Sequence, residues 1–254
     1  MLKQNTIFGT LDKEKQAIDW LKKHDKGNYH LAFSGGKDSI VIYKLAELAG
    51  IKFESVYNDT TIDPPELRSF IKKYYPQVKI NRPKVSFFKR VMEIGPPTPA
   101  RRWCCREYKE KNPKNATVIT GIRHEESARR TTRSYFEKSK LRKSDFYLHP
   151  IINWTMLDVW EFIEKHELPY CSLYDEGFDR IGCILCPLPE SRTLQIARWP
   201  KMVRAWKRAM KIFYDTKLNT PADPAWETFE SYWNRWLFRR SKATNKNQMQ
   251  LFTT

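Results

Sequence analysis

"HLAFSGGKDSIVIYKLAELAG", residues 30–50, is the stretch on which the fold turns. A short apolar run opens into Ser34-Gly35-Gly36-Lys37-Asp38-Ser39, and a pattern of helical period follows from Lys37 to Ala49. Glycines after a strand let the chain turn tightly and let backbone N–H groups approach an anion, and the start of the helix adds partial positive charge. Ser34 and Ser39 can donate hydrogen bonds, and Lys37 can add a point charge. The stretch is not the G-x-x-x-x-G-K-[ST] loop, and taken alone the six residues also suit a plain Gly-Gly turn before a helix.

Outward from the loop, strand-like and helix-like pieces alternate. "YHLAFS", "KFESVY", "QVKINR" and "ATVITGI" read as strands, and Lys37–Ala49, Pro65–Tyr75 and "SFFKRVMEI" as helices. This alternation predicts an α/β fold with a doubly wound, mainly parallel sheet. Ligands of such sheets gather outside the carboxyl ends of the strands, where "SGGKDS" falls.

The pattern changes after "HPIINW". Thr155 can cap a helix with Asp158 near the capping-box position, Leu157, Val159, Trp160, Phe162 and Ile163 form its apolar side, and Pro169 ends it. Beyond lie two tryptophan-rich helical stretches, "PKMVRAWKRAMKIFYDTK" and "PAWETFESYWNRWLFRRSK". The expected division is an N-terminal helical segment (1–27), a main domain (28–190), a basic helical C-terminal part (191–241) and a polar, flexible tail (242–254).

The chain has 254 residues, with 46 Lys+Arg against 29 Asp+Glu and a net charge of +17. That imbalance draws it toward polyanions, or else leaves it a solvated basic face. In the first tryptophan-rich stretch Met202, Trp206, Ala209, Met210 and Phe213 recur at helical spacing and read as core. Arg204, Lys207, Arg208 and Lys211 collect on another side and are candidate contacts to a nucleic-acid backbone. The N-terminus lacks the features of a signal peptide, and no apolar run is long enough to span a bilayer, so a cytoplasmic location without membrane contact is expected. Five cysteines, two adjacent (Cys104, Cys105) and two in C-x-x-C spacing (Cys183, Cys186), read as metal or catalytic sulfur rather than a disulfide framework.

"SGGKDS" resembles the PP-loop of the adenine-nucleotide alpha-hydrolase superfamily. The resemblance implies chemistry at an α-phosphate: ATP split to AMP and pyrophosphate, or an adenylyl sulfate such as PAPS held for reduction. It places Ser34, Gly35, Gly36, Lys37, Asp38 and Ser39 on the anion, with Asp38 helping to hold Mg²⁺ when ATP is bound. "YNDTT" looks like the segment beside the adenosine, which nominates Asn58, Asp59 and Thr60. "TGIRHEESARR" is similar to the T-G-x-R-x-x-x-S-x-x-R segment of PAPS reductase relatives, and carries over Gly121, Arg123, Ser127 and Arg130, with Arg129 adjacent. Lys37, Asp38, Arg123 and Arg130 are the catalytic candidates. Arginine suits the role because its guanidinium forks two hydrogen bonds onto phosphate or sulfate.

"RRWCCREYK" and "RIGCILCPLP" look like the two halves of the iron–sulfur site in the adenylyl-sulfate-reducing branch of that family. The resemblance implies a [4Fe–4S] cluster on Cys104, Cys105, Cys183 and Cys186, with a structural zinc site as the rival. Arg101, Arg102, Arg106 and Arg180 stand near these cysteines in sequence and could offset cluster charge. Cys171 is left over, either buried and inert or a sulfur-handling thiol. Reductases of the family carry a catalytic cysteine in a C-terminal segment, and no cysteine follows Cys186 here. Sulfur transfer to nucleic acid, DNA more than RNA, with a sulfur-donor protein as partner, therefore ranks above reduction of an adenylyl sulfate; a non-catalytic nucleotide- and DNA-binding redox regulator is the third reading. "QMQLF", Gln248–Phe252, resembles the peptide that docks bacterial DNA enzymes on the sliding clamp, and also reads as plain polar tail.

Overall fold

The computed structural model describes residues 1–6, 9–27, 29–111, 113–139, 145–188, 192–218 and 228–238. The chain forms two compact units. The first comprises Met1–Lys84 and Cys105–Cys183, and the second Val85–Cys104 with the chain from Ile184 onward. The linear division expected from sequence differs at two points: Val85–Cys104 joins the later helices, and the first 27 residues are not simply helical. Strands β1 (Lys3–Thr6) and β2 (Gly9–Asp12) pair as an antiparallel hairpin ahead of helix α1 (Lys13–Lys23). "KQNT" and "GTLD" have little β-branched or aromatic content, so nothing local announces them.

The first unit carries a six-stranded sheet. In chain order its strands are β3 (Tyr29–Phe33), β4 (Phe53–Asn58), β5 (Lys79–Asn81), β6 (Thr117–Ile119), β7 (Phe136–Lys138) and β8 (Phe146–Leu148). They lie in the order β5-β4-β3-β6-β8-β7, and every pairing is parallel except β7 against β8. The fold is thus α/β with a mainly parallel sheet and a helical C-terminal part, as expected. The strands β7 and β8, three residues each, lie outside the stretches that read as strands in the sequence.

Register positions the site. Phe33 stands beside Tyr57, Asn58 beside Asn81, and Leu31 beside Ile119. The carboxyl ends of β3, β4, β5 and β6 therefore reach one edge, and the segments that leave them start there together. Helix α2 (Lys37–Ala49) follows β3 with the bounds expected from sequence, and Ile40, Val41, Ile42, Leu45 and Ala46 bury its inner side. Helix α3 (Pro65–Tyr74) follows β4. In α5 (Met156–Lys165) the foreseen capping box is present: Thr155 Oγ1 accepts from the Asp158 amide, and Asp158 Oδ2 accepts from the Thr155 amide at 2.7 Å. The same carboxylate pairs with the buried Lys13 ammonium at 2.6 Å, tying α5 to the start of α1.

The second unit is helical: α4 (Phe87–Ile94), α6 (Arg192–Arg198), α7 (Pro200–Phe213) and α8 (Phe229–Leu237). Its core is aromatic. The Trp206 ring lies 5.2 Å from Phe87 and 4.8 Å from Trp236, and both indole N–H groups find carbonyls, Trp206 on Ile184 and Trp236 on Pro97. The apolar stripe of α7 is core, as its spacing foretold: Trp206, Ala209 and Met210 are buried, and Met202 and Phe213 half-buried.

Candidate functional site

The loop between β3 and α2 is built on close approaches. Gly35 has φ +73°, a left-handed conformation, and a Cβ there would stand 2.7 Å from Leu67 Cδ1 and 2.8 Å from Ile71 of α3. Only glycine meets both demands. The Ser39 hydroxyl donates to the Gly36 carbonyl at 2.8 Å, Ser34 Oγ donates to Ser39 Oγ at 3.2 Å, and the Gly36 amide donates to Ser34 Oγ at 3.3 Å. Gly36 caps α2 with no side-chain partner.

Four of the expected charged residues meet at this helix start. Arg123, beyond β6 and only 2% exposed, donates from Nε to Asp38 Oδ1 at 2.7 Å and from Nη1 to Glu125 at 2.6 Å. Lys37 is 4% exposed, lies 3.7 Å from Asp38 Oδ2, and donates to the Asp179 carbonyl at 2.9 Å. Burial pushes the Lys37 ammonium below its ordinary pKa; Asp38 opposes the shift, and Arg123 and Arg180 add to it. Arg130 pairs with Glu126, which also accepts from the Arg123 amide, and burial followed by Arg180 lowers its pKa. A Cβ on Gly121 would lie 2.9 Å from the Asp38 carbonyl oxygen, so a glycine there lets the segment pass against α2.

The remaining expected residues fall into place less tightly. Asp59 and Thr60 are buried at the end of β4, where Asp59 accepts from Arg68 at 2.9 Å, and Asn58 accepts from the Asn81 side chain at 2.7 Å. Among the described residues no hydrogen bond joins these three to the loop. Ser127 and Arg129 are exposed, and the Ser127 carbonyl accepts from the Arg130 amide.

Among the described residues no disulfide joins any of the five cysteines. Cys104 and Cys186 belong to the second unit, Cys105 and Cys183 to the first. All four are half-buried, and Cys183 donates to Thr60 Oγ1 at 3.4 Å. Thiolate sulfur suits iron or zinc chemically. Among the described residues, however, no group of three or more metal-binding side chains is gathered. Cys171 is 1% exposed, and burial raises its thiol pKa, so it is a core residue and not an accessible sulfur-handling thiol. On α7, Lys207 pairs with Glu230 and Lys211 with Asp215, whereas Arg204 and Arg208 are exposed with no partner among the described residues. Gln248–Phe252 lies outside the described residues.

Sequence reasoning passed over several residues. Asp63 accepts from the Tyr57 hydroxyl at 2.7 Å and steadies the turn after β4. His149, fully buried, has its pKa lowered to about 4 by burial and then by Arg133; it is neutral at pH 7 and stands 2.7 Å from Thr120 Oγ1. Tyr174 accepts from the Lys37 amide at 2.9 Å. Strand pairing of β6 with β8 brings His149 to Thr120 and Tyr174 reaches Lys37 across 137 residues, whereas Asp63 lies only six residues from Tyr57.

Comparison with known proteins follows the same lines. The chain is 31% identical over 222 residues to an uncharacterized protein of Methanocaldococcus jannaschii, covering 80% of this chain and 54% of the relative. It thus spans about half the length of that curated relative. It is 29% identical over 221 residues to an adenosine 5'-phosphosulfate reductase of Anoxybacillus flavithermus, covering 78% of this chain and 91% of the relative. A crystal structure of phosphoadenylyl-sulfate (PAPS) reductase from Candida auris, in complex with phosphate, shares the fold at a TM-score of 0.50 and 19% identity, covering 67% of this chain and 87% of that one. No helix among the described residues is long and apolar enough to cross a membrane. Residues 28–189, well over half of the chain, match the phosphoadenosine phosphosulfate reductase domain family, and the protein belongs to it.

Proposed function

We propose that the protein binds the phosphates of an adenine nucleotide on Ser34–Ser39 and uses ATP with Mg²⁺ to activate a nucleic-acid acceptor, DNA more than RNA, for sulfur transfer, releasing AMP and pyrophosphate. The observation that carries the nucleotide site is the constellation at the start of α2. A glycine turn delivers backbone N–H groups beside Lys37, and Arg123 holds Asp38 at 2.7 Å. Lys37, Arg123 and Arg130 supply positive charge around the helix N-terminus, where charge developing on phosphate oxygens is stabilised. Asp38 is half-buried with Oδ1 taken by Arg123, and its Oδ2 is the carboxylate oxygen offered to a Mg²⁺ ion.

Transfer to nucleic acid rests on the net charge of +17, far more than a small sulfonucleotide requires. The burial of Cys171 supports the same reading, since the cysteine outside the two pairs is poorly placed as a nucleophile toward sulfate sulfur. Reduction of an adenylyl sulfate to sulfite by an external thiol is the second reading, favoured by the similarity to an adenosine 5'-phosphosulfate reductase over 91% of its length.

Cys104, Cys105, Cys183 and Cys186 are proposed to hold a [4Fe–4S] cluster on the strength of their spacing in the sequence, a Cys-Cys pair and a C-x-x-C. Bound there, it supplies an electron-accepting centre ligated by soft sulfur. Cys183→Ser is expected to lose the broad visible absorbance of protein purified without oxygen; full retention overturns the ligand set.

The deciding experiment incubates oxygen-free protein with ATP-Mg²⁺ and, separately, with adenosine 5'-phosphosulfate and a thiol, with and without DNA. Pyrophosphate release that rises with DNA and disappears in Asp38→Ala is the expected result. Sulfite formation with silence toward ATP transfers the assignment to the second reading.

A further inference from the structure

Tyr174 closes a short 3-10 turn, Ser172–Tyr174, and its ring is held on several sides. Trp160 meets it at 5.2 Å with planes at 88°, Tyr170 meets it at 6.4 Å, and the Lys37 ammonium stands 5.3 Å from the ring centroid. A ring so enclosed cannot swing freely, and its hydroxyl is delivered to the first turn of α2. There it accepts the Lys37 amide proton at 2.9 Å. The hydroxyl's own proton finds no acceptor among the described residues.

Gly36 supports the same geometry. Its φ of −80° is open to any residue, so backbone conformation does not call for glycine. A Cβ at that position would come within 3.3 Å of the Tyr174 oxygen and 3.4 Å of Ser34 Oγ. The bare Cα makes room for a hydroxyl at the mouth of the loop. Burial raises the phenol pKa, so the proton stays on oxygen at neutral pH.

We propose that Tyr174 is a ligand-binding residue of the loop: its hydroxyl takes the Lys37 N–H and donates its own proton to an oxygen of the phosphate or sulfate bound on Ser34–Ser39. The tyrosine extends the donor set of the helix start by one hydroxyl, through a hydrogen bond polarised by the helix behind it. The contact serves the anion rather than the adenosine. The proposal rests on the nucleotide-binding reading above, and the two can fail separately.

The test is Tyr174→Phe in the full chain, which removes one oxygen and keeps the ring. Calorimetric titration with ATP-Mg²⁺, adenosine 5'-phosphosulfate, inorganic pyrophosphate and adenosine is the readout. A hydrogen bond to a charged oxygen predicts a loss of about ten- to a hundred-fold for the anionic ligand that binds wild type, with adenosine unchanged. Should the variant be less stable, the ratio of anion to adenosine affinity still decides, because partial unfolding lowers both alike. Tyr174→His, which returns an N–H donor, should recover part of the loss. Wild-type binding of an anionic ligand with Tyr174→Phe within twofold overturns the role of Tyr174 and leaves the loop assignment standing. A folded wild type that binds none of the anionic ligands removes the loop assignment and this proposal with it.

Discussion

At the scale of single residues the candidate site depends on what is missing as much as on what is charged. Gly35 combines φ +73° with a Cβ position 2.7 Å from Leu67. Gly35→Ala is therefore expected to destabilise the first unit by about 1–3 kcal/mol and to weaken nucleotide binding at least as much as it weakens folding. Chemical denaturation and ligand titration on the same variant separate the two effects. A variant as stable as wild type would show that α3 yields easily. Arg123 is the charged counterpart. Its buried guanidinium is engaged by Asp38, Glu125 and the Trp154 carbonyl, which is why a shorter or neutral side chain there would leave the half-buried Asp38 carboxylate without its closest charge partner.

At the scale of elements, helix α5 and the start of α1 share one carboxylate. Burial alone would raise the Asp158 pKa, but the Lys13 ammonium, the terminal amine and the Thr155 backbone and hydroxyl outweigh it and bring it down to about 2. A carboxylate depressed in the folded state adds stability that is fully present above its unfolded pKa near 4 and is lost as pH falls toward 2. The shift corresponds to about 2 kcal/mol. Wild type is expected to lose that increment between about pH 4 and pH 2, whereas Asp158→Asn should show a flatter profile in urea titrations over the same window. Parallel profiles would mean that Lys13 and Asp158 do not meet in solution.

At the scale of the whole molecule the charge of +17 is distributed unevenly in its availability. On α7, Lys207 and Lys211 already face carboxylates, while Arg204 and Arg208 face none among the described residues. Alanine at Arg204 and Arg208 is expected to reduce the salt dependence of duplex-DNA binding by about one unit of log–log slope per lost phosphate contact, and alanine at Lys207 and Lys211 by less. Fluorescence anisotropy across a range of KCl concentrations measures the slopes. Unchanged slopes at Arg204 and Arg208 would exclude α7 as the contact. The division into units also bears on the cysteines, since two of the chain's passages between units fall inside the two cysteine pairs, between Cys104 and Cys105 and between Cys183 and Cys186.

The sequence by itself determined the α/β alternation, the bounds of α2, the capping box of α5 and the buried stripe of α7, because each is written in residues close along the chain. Glycine turns, helical period and a cap need no distant partner. It also singled out Lys37, Asp38, Arg123 and Arg130 through a family pattern, though not how they meet. Tertiary structure alone decided that Arg123 closes on Asp38 across 85 residues and that Tyr174 reaches Lys37 across 137. It decided too that Cys171 is core, that Val85–Cys104 folds with the later helices, and that two three-residue strands complete the sheet. The physical reason is that each depends on partners distant in the chain. Strand order and register bring the partners together, and neither can be read from the spacing of residues along one segment.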